Sequence, residues 1–210
     1  MNVIYSITIK RTNGGRDGGI ETIPVFAVGS RFPYDERVWK EEGVAAMPTM
    51  AIMTGIQASG KSTFCQNNLP GYVRINLDTL HTRNKENMAM DEAFQAKKDM
   101  VIDNTNPTAA ERKKYIVKAK EHGYRVIGYF MQSRLQECTA RNELREGKAK
   151  IPAKAIAATS NKLELPSYEE GFDALYFVSM TKTGMAVEAW QVSTGTNHAA
   201  HNADFCLDGI

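Results

Sequence analysis

Cysteine is scarce in this chain: Cys65, Cys138 and Cys206 are the whole complement of 210 residues. Three widely spaced cysteines support neither a disulfide framework nor a C-x-x-C metal site, and a reducing compartment is the expectation. Long apolar runs are missing as well. No stretch approaches the ~20 residues of a membrane span, and Met1-Asn2-Val3 opens without the basic region and apolar core of a secretory signal. The expected setting is therefore soluble and cytoplasmic, with no membrane partner. Charge of one sign is also lacking, since 26 Lys and Arg against 24 Asp and Glu leave a net of +2. Binding by bulk charge alone is not indicated. Internal repeats and low-complexity segments are absent from the sequence.

What is present has the size of one main domain with extensions, because domains usually run to ~100–200 residues. Residues 2–10 alternate, with Val3, Tyr5, Ile7 and Ile9 on one face and Ser6, Thr8 and Lys10 on the other, which is strand periodicity. Asn13-Gly14-Gly15 and Asp17-Gly18-Gly19 supply positive-φ positions for a reversal. Ile23-Pro24-Val25-Phe26-Ala27-Val28 then reads as a returning strand near an edge. The middle of the chain changes character. Met50-Ala51-Ile52-Met53, Met100-Val101-Ile102 and Arg125-Val126-Ile127-Gly128-Tyr129-Phe130 alternate with longer helix-compatible stretches, the pattern of a parallel sheet flanked by helices. The clearest helix follows Asn106-Pro107, with Asn106 as the expected cap and Pro107 at the first position. Ala109, Ile116 and Ala119 mark its buried side, Arg112, Lys113, Lys114 and Lys118 lie mostly elsewhere, and Gly123 ends it. A basic helix near residues 133–146, Ile151-Pro152, another helical stretch and the apolar strand Ala174-Leu175-Tyr176-Phe177-Val178 follow. Phe177 and Trp190 read as core.

The expected organisation is an α/β fold: a β-hairpin extension over residues 1–46, a parallel-sheet domain over 47–182 and a C-terminal extension over 183–210. Residues 186–192 alternate again. Because both flanks alternate and neither has another obvious partner, the two extensions are expected to pair into one small β-rich appendage.

Gly55-Ile56-Gln57-Ala58-Ser59-Gly60-Lys61-Ser62, followed by Thr63, is a complete phosphate-binding loop set between a strand and a helix. Its glycines let successive N–H groups point inward as an anion cradle at a helix start. Lys61 adds charge for the β- and γ-phosphates, and the Ser62 hydroxyl is placed for Mg²⁺. The loop indicates a nucleotide, and an ATP-dependent phosphotransferase is the leading class; the acceptor has to be argued from other residues. Asp78 follows Tyr72-Val73-Arg74-Ile75-Asn76, a second strand, so its carboxylate belongs at the end of the sheet where ligands bind. There it either takes the proton of an attacking hydroxyl or caps the next helix. Asp103 ends the run Met100-Val101-Ile102, the usual place of a metal-organising carboxylate that touches Mg²⁺ through water. Asn104, Thr105 and Asn106 are equally well explained as a hydrogen-bonded turn.

Arg134, Arg141 and Arg145 are spaced by seven and four residues, so a helix would put all three on one face. They form either a lid over the γ-phosphate or a solvated face with internal ion pairs. His198, His201, Asp204 and Cys206 can be written as a metal site, but no helix signal fixes their geometry.

Taken together these residues resemble the kinase domain of 5′-hydroxyl polynucleotide kinases, especially that of the eukaryotic polynucleotide kinase/phosphatase. The resemblance rests on residues 55–63, on Ile75-Asn76-Leu77-Asp78-Thr79-Leu80, and most specifically on Val101-Ile102-Asp103-Asn104-Thr105-Asn106-Pro107 followed by Ala109-Ala110. It continues through Ala140-Arg141-Asn142, Arg145-Glu146, Ile151-Pro152, Leu165-Pro166 and Glu170-Gly171-Phe172, in the family's order over about residues 49–180. The resemblance implies that Asp78 is the general base for the 5′-hydroxyl and that Arg141 is a lid residue on the nucleotide phosphates, with Arg145 beside it. It also implies that the turn after Asp103, with Asn104 and Thr105, borders the acceptor strand. Some members carry an arginine three residues after the base to hold the acceptor's phosphate; here that position is His81. Nothing in the chain resembles the family's phosphatase or phosphopeptide-binding domains, so 3′-phosphatase activity is expected to be absent.

The implied function is Mg²⁺- and ATP-dependent transfer of the γ-phosphate to a DNA or RNA 5′ end, with a ligase or other end-repair factor as the kind of protein partner. Two other readings stand beside it: a P-loop kinase acting on a small molecule or nucleoside, and a nucleotide-gated binding protein.

Overall fold

The computed structural model describes residues 47–190 and two strands that precede them, β1 (Ile4–Lys10) and β2 (Ile20–Phe26). The chain divides into two compact units, Met1–Val44 and Ala45–Ile210. In the first, β1 and β2 pair antiparallel, Ile4 opposite Phe26 and Lys10 opposite Ile20, as the alternation predicts.

In the second unit the central strands are short apolar segments buried on both faces, and the more polar stretches between them become helices. Strand β3 (Thr49–Thr54) leads through the glycine-rich loop into α1 (Lys61–Asn68). There follow β4 (Val73–Ile75), the single-turn helix α2 (Leu77–Leu80), α3 (Arg83–Gln95), β5 (Met100–Ile102), α4 (Ala109–Glu121) and β6 (Arg125–Met131). Helices α5 (Leu135–Glu143) and α6 (Ala153–Ser160) precede the last strands, β7 (Ala174–Thr181) and β8 (Gly184–Ala189). The sheet order is β4-β5-β3-β6-β7-β8, and every pairing is parallel except β7 with β8. Met50 lies beside Met100 and Val126, and Ile52 beside Ile102 and Gly128. One side of the core gathers Met50, Ile52, Ile75, Phe94, Ile102, Tyr115 and Leu175. Thr82 and Thr108 cap α3 and α4 by accepting from Lys85 N and Glu111 N. Phe177 is buried, and Trp190 packs edge-on against Phe130 with ring centres 5.6 Å apart. Gly123, at φ +74°, follows the last residues of α4 as expected.

Four expectations are corrected. Strand β8 is the sixth strand of the main sheet, with Tyr176 opposite Ala189 and Thr181 opposite Gly184, while β1 and β2 form a separate two-stranded sheet. The flanks therefore do not pair into one appendage: two residues, Lys182 and Thr183, suffice to return the chain beside β7, whereas pairing with β1 would close a loop of most of the chain. Asn106 does not cap α4. It is buried at φ +42° and its Nδ2 donates to the Met53 carbonyl at 2.8 Å; Thr108, past the proline, takes the cap. Arg112, placed away from the buried side by its charge, is fully buried. Its guanidinium donates to both oxygens of Glu170 at 2.8 and 2.7 Å and to the carbonyls of Asn106, Pro107 and Glu164. Finally, Arg145 lies beyond α5, so the three arginines share no single helix face. Asn142 turns the chain there, its side chain donating to Ile151 O and accepting from Ile151 N at 2.7 and 3.0 Å.

Among the described residues no helix is long and apolar enough to cross a membrane. His198, His201, Asp204 and Cys206 lie outside the described residues.

Candidate active site

The chain places β4 and β5 on one side of β3 and β6 and β7 on the other. The loop leaving the carboxyl end of β3 therefore opens at the point where the direction of winding reverses, the usual crevice of such sheets. Gly55 and Gly60 hold φ +151° and +97°, a region that side chains disfavour. A Cβ on Gly55 would come within 3.0 Å of Met131 Cβ, Ser133 Oγ and Ser59 Oγ, so this position is also closed sterically. Ala58 occupies φ +59° without being glycine, a local strain held by the loop's surroundings.

Those surroundings are specific. Gly55 N donates to Thr105 O at 3.0 Å and Ile56 N to Ser133 Oγ at 3.2 Å. Gln57 Nε2 reaches Thr159 Oγ1 of α6 at 3.0 Å, and Arg141 Nε of α5 reaches the Ala58 carbonyl at 2.9 Å. Lys61 Nζ folds back to donate to the carbonyls of Gly55 and Ile56 at 2.9 and 2.7 Å. Burial lowers the Lys61 ammonium to about 8; the charge of Arg145 acts in the same direction and that of Asp103 opposes it.

One helical position further, Ser62 Oγ donates to Asp103 Oδ2 at 2.9 Å, and Arg74 Nε donates to the same oxygen at 2.8 Å. Asp103 Oδ1 is buried and has no hydrogen-bond partner among the described residues. An exposed hydroxyl beside a carboxylate with a free oxygen suits Mg²⁺, which takes one or two protein oxygens and completes its shell with water and phosphates. Among the described residues there is no group of three or more His, Cys, Asp or Glu side chains that could hold a metal.

The backbone of Asp103 connects this corner to Asp78. Asn76 Nδ2 donates to Asp103 O, while Asn76 Oδ1 caps α2 by accepting from Asp78 N at 2.8 Å and Thr79 N at 3.3 Å. Asn76 is thus the cap, and Asp78 is exposed, its carboxylate making no hydrogen bond or ion pair among the described residues. Asn104 Oδ1 accepts from Leu77 N at 3.0 Å, and its Nδ2 donates to Glu86 Oε1 at 2.7 Å. Glu86, buried on α3, also accepts from Tyr115 OH and Arg83 Nη1 at 2.7 and 2.8 Å. Burial alone would raise the Glu86 carboxyl, but these hydrogen bonds and the Arg83 charge hold it below the ordinary value.

The fold thus brings the loop residues, Thr63 on the exposed side of α1, Arg141, Asp103 and the Asn104–Thr105 turn around one end of β3. Asp78 and His81 join through α2. His81 stands at φ +65° as the exposed C-cap of that helix. Sequence reasoning passed over Arg74, Asn76, Glu86 and Tyr115, whose roles depend on partners from other elements. Only Asn76, two residues before Asp78 at a strand end, carried a local signal, that of a helix cap.

A family profile described as an AAA domain matches residues 50–166. Over 128 residues the chain is 33% identical to the bifunctional polynucleotide phosphatase/kinase of Schizosaccharomyces pombe, covering 59% of this chain and 31% of that protein. Over 138 residues it is 35% identical to an Acanthamoeba polyphaga mimivirus protein known by a provisional form of the same name, covering 62% and 33%. The matched stretch thus spans about a third of the length of these curated relatives. Among solved structures, the PezAT chromosomal toxin–antitoxin system of Streptococcus pneumoniae aligns over 81% of each chain with a TM-score of 0.50 at 14% identity, a likeness of fold.

Proposed function

The chain belongs to the AAA domain family, whose profile matches residues 50–166, and from that premise we propose that it transfers the γ-phosphate of ATP to the 5′-hydroxyl of DNA or RNA. The observation that carries this reading is the coupling of Asp78 to the phosphate loop: its helix is capped by Asn76, which hydrogen-bonds Asp103, which accepts from Ser62 of the loop. A base for an acceptor hydroxyl and a cradle for a nucleotide are thereby held by one continuous set of hydrogen bonds. Two relatives that match this stretch bear the name polynucleotide phosphatase/kinase, which favours a polynucleotide end over a metabolite as acceptor.

In the proposed reaction the N–H groups of the loop bind the β- and γ-phosphates, and Lys61 exchanges its two carbonyl partners for phosphate oxygens. Asp78 accepts the proton of the 5′-hydroxyl as that oxygen bonds to the γ-phosphorus. The bond from phosphorus to the β–γ bridging oxygen breaks, and ADP leaves with that electron pair. Arg141, now on the Ala58 carbonyl of the loop, turns to the phosphates and neutralises charge developing there. Mg²⁺, which Ser62 and Asp103 would hold, supplies charge neutralisation between phosphate oxygens when bound.

Asp78→Asn tests the base. Its transfer rate should fall about 10²–10⁴-fold, the usual contribution of a positioned base, while ADP affinity stays within about twofold. Full transfer by the variant would remove Asp78 from the mechanism.

A further inference from the structure

Arg74 projects from β4, at the edge of the sheet, onto Asp103. Its Nε and Nη2 both reach Oδ2, at 2.8 and 2.5 Å, the oxygen that already accepts from Ser62 Oγ. Arginine and carboxylate often pair fork-to-fork across both oxygens, where the guanidinium satisfies more lone pairs. Here both bonds fall on Oδ2, and Oδ1 is left buried without a partner. The Asp103 side chain is 1% exposed and that of Arg74 is 34% exposed. The positive charge therefore stands at the mouth of the corner that Ser62 and Asp103 form, and it offsets the carboxylate's charge while leaving one buried oxygen without a partner.

We propose that Arg74 is a built-in counter-cation that keeps the divalent-metal affinity of the Ser62–Asp103 pair low until nucleotide phosphates add their own negative charge. The inference rests on reading Ser62 and Asp103 as the metal-holding pair. A divalent ion approaching this half-buried corner is repelled by the guanidinium, and solvent screens that repulsion only in part. Once a nucleotide occupies the loop, its phosphates outweigh the single positive charge, so metal and nucleotide are taken up together. Arg74 acts through Asp103 and is a positioning residue.

The test follows Mn²⁺ binding to the full chain by electron paramagnetic resonance, with and without ADP. Without ADP, Arg74→Gln should bind Mn²⁺ at least about tenfold more tightly than the wild type, because a unit repulsion in a half-buried site has been removed. Arg74→Lys, which keeps the charge, should stay within about threefold of wild type. Equal or weaker Mn²⁺ binding by Arg74→Gln overturns the inference, and so does a lysine variant that behaves like the glutamine one. If the glutamine variant unfolds around its unpaired carboxylate, the pair Arg74→Gln with Asp103→Asn removes both charges; it should show no gain in Mn²⁺ affinity, and a gain would overturn the inference. Wild type and Asp103→Asn that bind Mn²⁺ equally in the presence of ADP would overturn the metal-pair reading itself. A loss in Asp103→Asn with no effect of Arg74→Gln overturns the Arg74 inference alone.

Discussion

Lys61 is a buried ammonium whose two short hydrogen bonds go to carbonyls of its own loop, and burial draws its pKa down to about 8. A bound phosphate stabilises the charged form, so the pKa rises on binding. Below about pH 8 the free protein already carries the charge, and this group adds no pH dependence. Above about 8 it must take up a proton to bind. ADP affinity should therefore fall by up to about tenfold per pH unit above that point, with uptake of up to about one proton. Calorimetry in buffers of different ionisation enthalpy measures both; an affinity that is flat from pH 7 to 9.5 would contradict the assignment. Lys61 and Ser62 were legible in the sequence because their chemistry is written in consecutive residues. Arg74 and Glu86 were not, since Asp103 lies 29 residues from Arg74, and Asn104 and Tyr115 lie 18 and 29 residues from Glu86; an arginine in an edge strand or a glutamate in a helix reads by default as solvated surface.

At the scale of elements, α4 is the most instructive. Its period was readable from Ile116 and Ala119, and Arg112, four and seven residues before them, shares their face; its charge alone put it outside, because charged side chains are rarely buried alone. What brings it in is Glu170, 58 residues later, in a turn whose Ser167 and Glu170 cap each other. Removing one partner leaves the other charge buried. Arg112→Met should thus cost about 3–5 kcal/mol in urea unfolding, and replacing Glu170 with leucine as well should recover most of it. A loss below about 1 kcal/mol would show that the pair carries little of the packing between α4 and that turn. The strands were legible from their short apolar runs. The pairing of β8 was not: its alternation announces a strand, while only the two-residue turn after β7 says which neighbour it takes.

For the whole molecule, the alternation of apolar runs with helical stretches was enough to read a parallel sheet flanked by helices, and that sheet puts the phosphate loop where its winding reverses. Fold alone leaves the acceptor open. The proposal of a polynucleotide end rests on Asp78, coupled through Asn76 and Asp103 to the glycine-rich loop, and on the two relatives named polynucleotide phosphatase/kinase. The most direct measurement incubates the full chain with γ-labelled ATP, Mg²⁺ and a panel of 5′-hydroxyl DNA, 5′-hydroxyl RNA and nucleosides, and follows the label. The predicted result is label on the 5′ end of an oligonucleotide, weakened as salt rises because a polyanionic acceptor releases counterions on binding. Label on nucleosides alone, or released only as inorganic phosphate, would contradict it.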